Sequence, residues 1–358
     1  MKKLFFVLYF LLSINLYGSL TLEEKIGQLL IVHFHGEHAN EDAQRLIEEA
    51  RVGGFIYYDL CNGLADLKQV QNLSRGLQKL SKIPLWIASD EEGGPVSRIK
   101  GLEYFPGNRR LADLGNPYLV RDITCLGGRE LKDLGINMNL APVVDISSHP
   151  EKSFMAKRTF GNSPSVVTHY ARHVLKGYKK AGILPVLKHF PGYGDTEMDP
   201  HLDLPVLNKK MQDLENVELV PYIQLLGETE AIMTAHILVP ALDPLKCATL
   251  SEAIVKGLLR QKMGYEGLVI TDSLTMQGLL NNCGSLEKAA LEALLAGCDL
   301  LILGRGRLQH GGDDLKVEDI LRIFHFLVQE AEEGRLPLKI VDQAVARTLH
   351  FKEKFLKP

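Results

Sequence analysis

The stretch Ile183-Leu184-Pro185-Val186-Leu187-Lys188-His189-Phe190-Pro191-Gly192-Tyr193-Gly194-Asp195-Thr196-Glu197-Met198-Asp199-Pro200-His201 decides how this chain reads. Its first five residues are uniformly apolar. A short run of that kind is the pattern of a strand buried on both faces. The fourteen residues from Lys188 to His201 then crowd together Lys, His, Asp, Glu, Asp and His with two Pro and two Gly. Stability alone does not ask for such a mixture. A catalytic loop leaving the end of a barrel strand often has it.

Working outward, seven more apolar runs have the same character: Gln28–His33, Gly53–Tyr58, Pro84–Ser89, Met138–Ile146, Ala231–Val239, Gly267–Thr271 and Asp299–Leu303, with Leu184–His189 as the fifth of eight in chain order. Between them lie segments of helical period: Asn40–Ala50, Leu64–Ser81, Tyr118–Leu134, Pro164–Ala181, Lys209–Leu226, Ser251–Lys262 and Ser285–Ala296. Lys316–Gly334 and Ile340–Lys357 follow the last strand. Apolar strands joined by amphipathic helices imply a parallel sheet covered by helices. Eight of them fit a single (β/α)8 TIM-type barrel better than an open sheet. Ser163-Pro164 supplies a cap and an N1 proline, Gly182 closes that helix, and Thr21-Leu22-Glu23-Glu24 has the form of a capping box.

Composition narrows the function classes. The chain has 358 residues, 46% hydrophobic and 24% charged, with a net charge of -3. These are globular values without the basic excess of a nucleic-acid binder. The five Cys, at 61, 125, 247, 283 and 298, lie far apart with no CxxC, so small buried residues are expected rather than a disulfide framework. Residues 1–18 have a charged start at Lys2-Lys3, a short apolar run and a small-residue exit near Gly18-Ser19, the order of an export signal. The run is too short for a comfortable membrane span. One catalytic barrel over 19–358 is the economical domain reading.

Charged groups stand at strand ends. The third strand runs into Asp90-Glu91-Glu92, the fourth ends at Asp145, the fifth at Lys188-His189, the sixth near His236 and the seventh at Asp272. In a barrel these ends converge on one rim. Asp90 or Asp145 could instead cap a helix, and Asp272 could be the N-cap of a Ser273–Leu280 segment. At the rim, Asp272 could serve as nucleophile or base. In Asp199-Pro200-His201 the carboxylate could orient an imidazole that gives and takes protons near neutral pH. Asp195, Asp199 and His201 could form a metal cluster, but no HExxH or comparable signature is present, so no metal and no cofactor are expected. Gly304-Arg305-Gly306 is a weak phosphate signal, and a serine hydrolase finds no GxSxG.

These residues resemble glycoside hydrolase family 3. Lys188 to His201, continuing Leu202-Asp203-Leu204-Pro205, is similar to that family's KHFPGHGDTxxDSHxxLP signature. Four further segments agree in order: Asp90–Arg98, Gly135–Asp145, Arg158-Thr159-Phe160-Gly161 and Val269–Met276. The resemblance is nearest to the single-domain β-N-acetylglucosaminidases of the family. It implies a retaining β-hexosaminidase with Asp272 as nucleophile. His201 would be acid and then base, tuned by Asp199. Asp90, Arg98, Arg158, Lys188 and His189 would hold the hydroxyls and acetamido group of the terminal sugar. Tyr193 replaces a common His and Pro200 a usual Ser, which puts the catalytic loop's mobility in question. The longer glucoside-acting members carry a second domain; its absence before Pro358 points to N-acetylhexosaminides.

The expected partner is therefore a carbohydrate, N-acetylglucosamine-containing glycans or muropeptides, with no nucleic acid. A monomer is expected, without a stable membrane span after signal removal. Phosphorolysis and a non-catalytic sugar-binding role stand as alternatives. Export to the periplasm or beyond is the expected location, with the cytoplasm as the alternative.

Overall fold

The computed structural model describes residues 20–149, 153, 155–194, 196, 198, 203–305 and 314–356. The export-signal segment and Asp195, Asp199, Pro200 and His201 lie outside the described residues. Eight parallel strands close on themselves in chain order: β1 (Leu30–Val32), β2 (Gly54–Ile56), β3 (Trp86–Ser89), β4 (Met138–Asn139), β5 (Leu184–Phe190), β6 (Ala231–Thr234), β7 (Leu268–Ser273) and β8 (Leu300–Leu303). The seam is β1 against β8, with Ile31 opposite Ile302. The expected (β/α)8 barrel is present, with every expected strand inside its predicted span except for slight overruns at the ends of β5 and β7.

The barrel has two cores. Its interior is filled by residues two apart on successive strands, among them Trp86 and Ala88, Leu184 and Val186, and Leu268 and Ile270. Side chains alternate along a strand, so the intervening residues face outward. These meet the helices in the second, larger core, where Ile87, Leu187 and Val269 pack with the helical Leu73, Leu175 and Leu259. Phe351, Phe355 and Leu356 of the terminal helix Leu338–Leu356 close the amino end of the interior.

Helix ends follow local chemistry. Thr21 and Glu24 exchange both bonds of a capping box. Ser163 caps Pro164–Ala181, and Gly182 ends it in the left-handed conformation. Two expectations change. The Lys209–Leu226 segment forms two short helices, Met211–Asn216 and Val220–Leu225. The break falls just before Pro221, which has no N–H for a continuous helix. Regular β4 also stops at Asn139, although the chain beyond it stays beside β5 through the Val143–Lys188 bridge. All five Cys are buried and unpaired. No helix among the described residues is long and apolar enough to cross a membrane.

Candidate active site

The barrel's own periodicity builds the site. Two residues beyond the inward pairs of β3, β5 and β7 stand Asp90, Lys188 and Asp272. The alternation that buries two apolar layers thus makes the next layer, at the carboxyl ends of the strands, polar.

Lys188 is 2% exposed, and its Nζ lies 2.7 Å from both Asp90 Oδ1 and Glu92 Oε1. Arg158 grips Glu92 as a fork, Nε to Oε2 at 2.9 Å and Nη2 to Oε1 at 2.6 Å. Burial by itself would raise the Glu92 carboxyl, but Lys188 and Arg158 outweigh it and hold the group far below its usual range. For Lys188 burial works to lower the value, and Asp90 and Glu92 reverse this and raise it. Arg98 Nη2 stands 3.8 Å from Asp90 Oδ2, and its guanidinium lies over the Tyr58 ring.

Glu91 turns the other way, as a residue between two inward neighbours must. Its carboxylate accepts from Ser89 Oγ, Ser97 Oγ and the backbone N–H groups of Arg98 and Ile99. Asn139 holds the Glu91 backbone at both N–H and C=O. Burial pushes the Glu91 carboxyl up to about 7, against those four donors. The consequence for the site is positional: Glu91 fixes the turn that carries Arg98.

His189 Nδ1 lies 2.7 Å from Asp145 Oδ2, and Tyr193 N–H donates to the other oxygen at 2.9 Å. Asp145 is therefore an orienting group for His189 rather than a helix cap. Tyr193, 1% exposed, sets its ring edge-on to His189 at 5.0 Å. Gly192 and Gly194 both have positive φ, and a Cβ on either would press on Glu218, at 2.9 and 3.1 Å respectively. The base of the loop is thus packed down at these glycines.

Asp272 is the penultimate residue of β7, and its Oδ1 accepts from Ser273 N–H at 2.7 Å. The next helix is Gln277–Cys283, begun by Met276, so Asp272 is not its N-cap. Burial favours the neutral acid, but the positive fields of His236 and His189, the Ser273 N–H and Lys188 outweigh it and lower the Asp272 pKa. His236 is fully buried after β6. Its Nε2 lies 2.9 Å from the Ser273 carbonyl, which can only accept, and Nδ1 lies 2.8 Å from Thr249 Oγ1. This histidine fixes the backbone next to the carboxylate.

The structure thus brings Asp90, Arg98, Arg158 and Lys188 into one ionic network and places His189 and Lys188 within electrostatic reach of Asp272. Asp199 and His201 lie outside the described residues. Sequence reasoning gave no role to Glu92 and left Asp145 as a possible cap. The signal for Glu92 was its spacing: two residues from Asp90 on extended chain, it faces the same side. Arg305, the phosphate candidate, is instead paired with Asp314 at 3.0 Å.

Comparison with known proteins places this geometry. "Beta-hexosaminidase LpqI" of Mycobacterium tuberculosis is 32% identical over 93% of this chain and 83% of its own length. "Beta-hexosaminidase A" of Pseudoalteromonas piscicida is 30% identical over 94% of this chain but 61% of its own. Among solved structures, a glycoside hydrolase family 3 beta-N-acetylglucosaminidase from Paenibacillus sp. str. FPU-7 superposes with a TM-score of 0.87 at 35% identity, over 94% of this chain and 63% of that one. The chain therefore spans somewhat under two thirds of the latter two proteins. Residues 21–351, which hold all eight strands and the rim network, match the Glycosyl hydrolase family 3 N terminal domain, and the chain belongs to that family.

Proposed function

We propose that this chain is a retaining exo-β-N-acetylglucosaminidase that removes terminal non-reducing N-acetylhexosamine through a covalent glycosyl-enzyme on Asp272. The observation that carries the reading is the state of Asp272. A nucleophile must be ionised, and this carboxylate is held so at the end of a rigid strand by two imidazoles, a backbone N–H and a lysine. Relatives named beta-hexosaminidase support the substrate class.

The chemistry runs in two steps. Asp272 attacks the anomeric carbon as His201, oriented by Asp199, protonates the departing glycosidic oxygen. His201 then takes a proton from water, which attacks the same carbon, frees the sugar and restores Asp272. Retaining glycosidases generally pair two carboxylates. As acid His201 is the imidazolium, whose charge attracts Asp272 where a second carboxylate would repel it, and after donating it is the neutral imidazole that serves as base. Asp90, Lys188, Arg158 and Arg98 serve as the sugar grip: their donors and acceptors are fixed by one another before substrate arrives, so orientation costs little on binding. His189, aimed by Asp145, joins them. In this reading the natural substrates are peptidoglycan-derived fragments, met after export directed by the first 18 residues.

The test compares aryl β-N-acetylglucosaminide with the matched β-glucoside, with and without inorganic phosphate. Intact mass is followed with a fluorinated slow substrate. Free N-acetylglucosamine with retained anomeric configuration, and a glycosyl adduct lost in Asp272→Asn, are expected. Sugar 1-phosphate formed only with phosphate would assign phosphorolysis. Equal inertness of wild type and variant toward every hexosaminide would assign sugar binding alone.

A further inference from the structure

On the side of the rim that follows β7, the ends of β8, β1 and β2 bring together His33, His35, Cys61 and Asp314. One ligand atom from each lies within 4.8 Å of all the others. His33 is fully buried. Its Nδ1 stands 3.3 Å from the Leu303 carbonyl, which can only accept, so the proton belongs on Nδ1 and the lone pair on Nε2. That Nε2 has no hydrogen-bond partner among the described residues and stands 4.0 Å from Asp314 Oδ1. His35 Nε2 is 3.4 Å from Asp314 Oδ2. Burying an acceptor without a donor is costly, unless the lone pair serves something else. A histidine whose Nδ1 is tied to a carbonyl while Nε2 faces a thiol, a second imidazole and a carboxylate has the form of a metal ligand with its orienting partner already in place.

The backbone around these groups is built to hold them. Asn62 Nδ2 donates to the carbonyls of Phe34 and Gly36, each at 3.1 Å, while its Oδ1 accepts from Tyr58 N–H. Gly36 N–H donates to the Cys61 carbonyl, and Asn40 Nδ2 to that of His35. The loop after β1 is thereby strapped to the turn that carries Cys61. A cavity of about 200 Å³ lined by His33, His35, Asp42, Lys316 and Glu318 opens beside the cluster.

We propose that His33 Nε2, His35 Nε2, Cys61 Sγ and Asp314 bind a zinc-class divalent cation, clasping the β8 loop to the ends of β1 and β2 at the barrel seam. Two imidazoles, a thiolate and a carboxylate make a tetrahedral zinc donor set. With bond lengths of about 2.0–2.3 Å, ligand atoms around such an ion sit about 3.3–3.8 Å apart, so the four groups close in by about 1 Å. Binding deprotonates Cys61, releases one proton to solvent, and leaves two anionic ligands that neutralise the ion. Arg305, whose Nε is 3.0 Å from Asp314 Oδ2, keeps that oxygen as an outer partner, while Oδ1, which accepts from Leu315 N–H at 3.2 Å, offers its second lone pair to the metal. No sequence window hints at this set, because Asp314 lies more than 250 residues beyond His33, His35 and Cys61.

The experiment uses the full chain, stripped with chelator, dialysed against zinc and assayed for bound metal and for melting temperature. One zinc per chain is expected, with a zinc-dependent rise in melting temperature. Cobalt should give a thiolate charge-transfer band. His35→Ala removes a half-exposed ligand and Cys61→Ser is nearly isosteric, so both should fold. Each should lower zinc affinity by at least the roughly 10–100-fold that losing an outer-shell partner costs, and Cys61→Ser should abolish the cobalt band. His201→Ala serves as the comparison for zinc held at the catalytic loop. Absence of stoichiometric zinc overturns the proposal, as does zinc that survives both variants or is lost only in His201→Ala.

Discussion

Lys188 and Glu92 meet at 2.7 Å with 2% of either side chain exposed, and each has a second partner: Asp90 for the lysine, Arg158 for the glutamate. The charges were taken out of water together, and each balances another. Removing one therefore costs more than one contact. Glu92→Gln should destabilise the fold by about 3–5 kcal/mol, because Lys188 and Arg158 stay buried with less compensation. Its pH dependence follows from sign. Glu92's folded pKa lies below its ordinary 4.5, so its contribution is complete above 4.5 and is lost as pH falls toward the folded value. Urea melts from neutral to acid pH check both points. Equal stability of variant and wild type at neutral pH would sink this account of the network.

Asp272→Asn keeps the shape and removes the charge. Activity on aryl β-N-acetylglucosaminide should drop about 10⁴–10⁶-fold, the range seen when a nucleophilic unit is broken. The melting temperature at neutral pH should fall modestly, since a pKa held below 3.8 means that the fold favours the charge that is removed. Because the Asp272 pKa is already below its usual value of 3.8, the acid limb of kcat/KM should not titrate with Asp272 anywhere above that pH. An acid limb abolished by Asp272→Asn in the residual activity, but untouched by His201→Ala, contradicts this.

His201→Ala tests the acid role through the leaving group. Substrates with poor leaving groups should slow by roughly 10²–10⁴-fold. A nitrophenol, which departs readily as an anion, should be much less affected in glycosylation. Asp199→Asn should follow the same pattern more weakly. A loss independent of leaving-group pKa would remove His201 from the role of acid.

Asp145→Asn tests orientation. With His189 Nδ1 no longer facing a carboxylate, the ring can turn and misplace its Nε2. Misplacement by an ångström can cost about 10²-fold. The loss should not add to that of His189→Ala, because the two residues act as one unit. Additive effects in the double variant would mean that Asp145 works through something other than His189.

Lys352, at the opposite end of the barrel, offers a separate pH signature. Buried and donating to Gln28 Oε1 and the Gly53 carbonyl, it has a pKa pushed from 10.5 down to about 7 by burial. The unfolded chain then binds a proton that the folded chain holds weakly. Stability should rise as pH climbs from about 7 toward 10.5, and Lys352→Met should flatten that rise. Melting temperatures across this interval decide it; an unchanged slope in the variant rules the lysine out as its source.

Much of the architecture was legible beforehand because strand burial is written in local hydropathy. Ile183–Leu187 reads as a strand, since nothing but a sheet covered on both sides buries such a run. Strand ends were less legible. Leu140–Ile146 looks as apolar as β5, yet Pro142 interrupts the ladder, and a pattern of hydrophobicity does not count N–H groups. The Lys209–Leu226 helix failed for a related reason at Pro221. In the site, Asp90, Arg98, Arg158, Lys188, His189 and Asp272 could be nominated from type and position. Glu92, Asp145 and His236 could not be given their partners, because a salt bridge between residues 96 positions apart leaves no local trace.

Sequence by itself determined that eight buried strands alternate with helices and that polar residues follow them, because hydrophobic period and turn chemistry act over a few residues. Tertiary structure decided which polar groups meet. Closing the sheet brings β3 beside β5 through β4, and the two-residue alternation then points Asp90 and Glu92 at Lys188. The same closure puts His33 of β1's end against Asp314 beyond β8, at a seam no sequence window spans. Electrostatic pairing is a matter of distance in space, and only the closed barrel sets it.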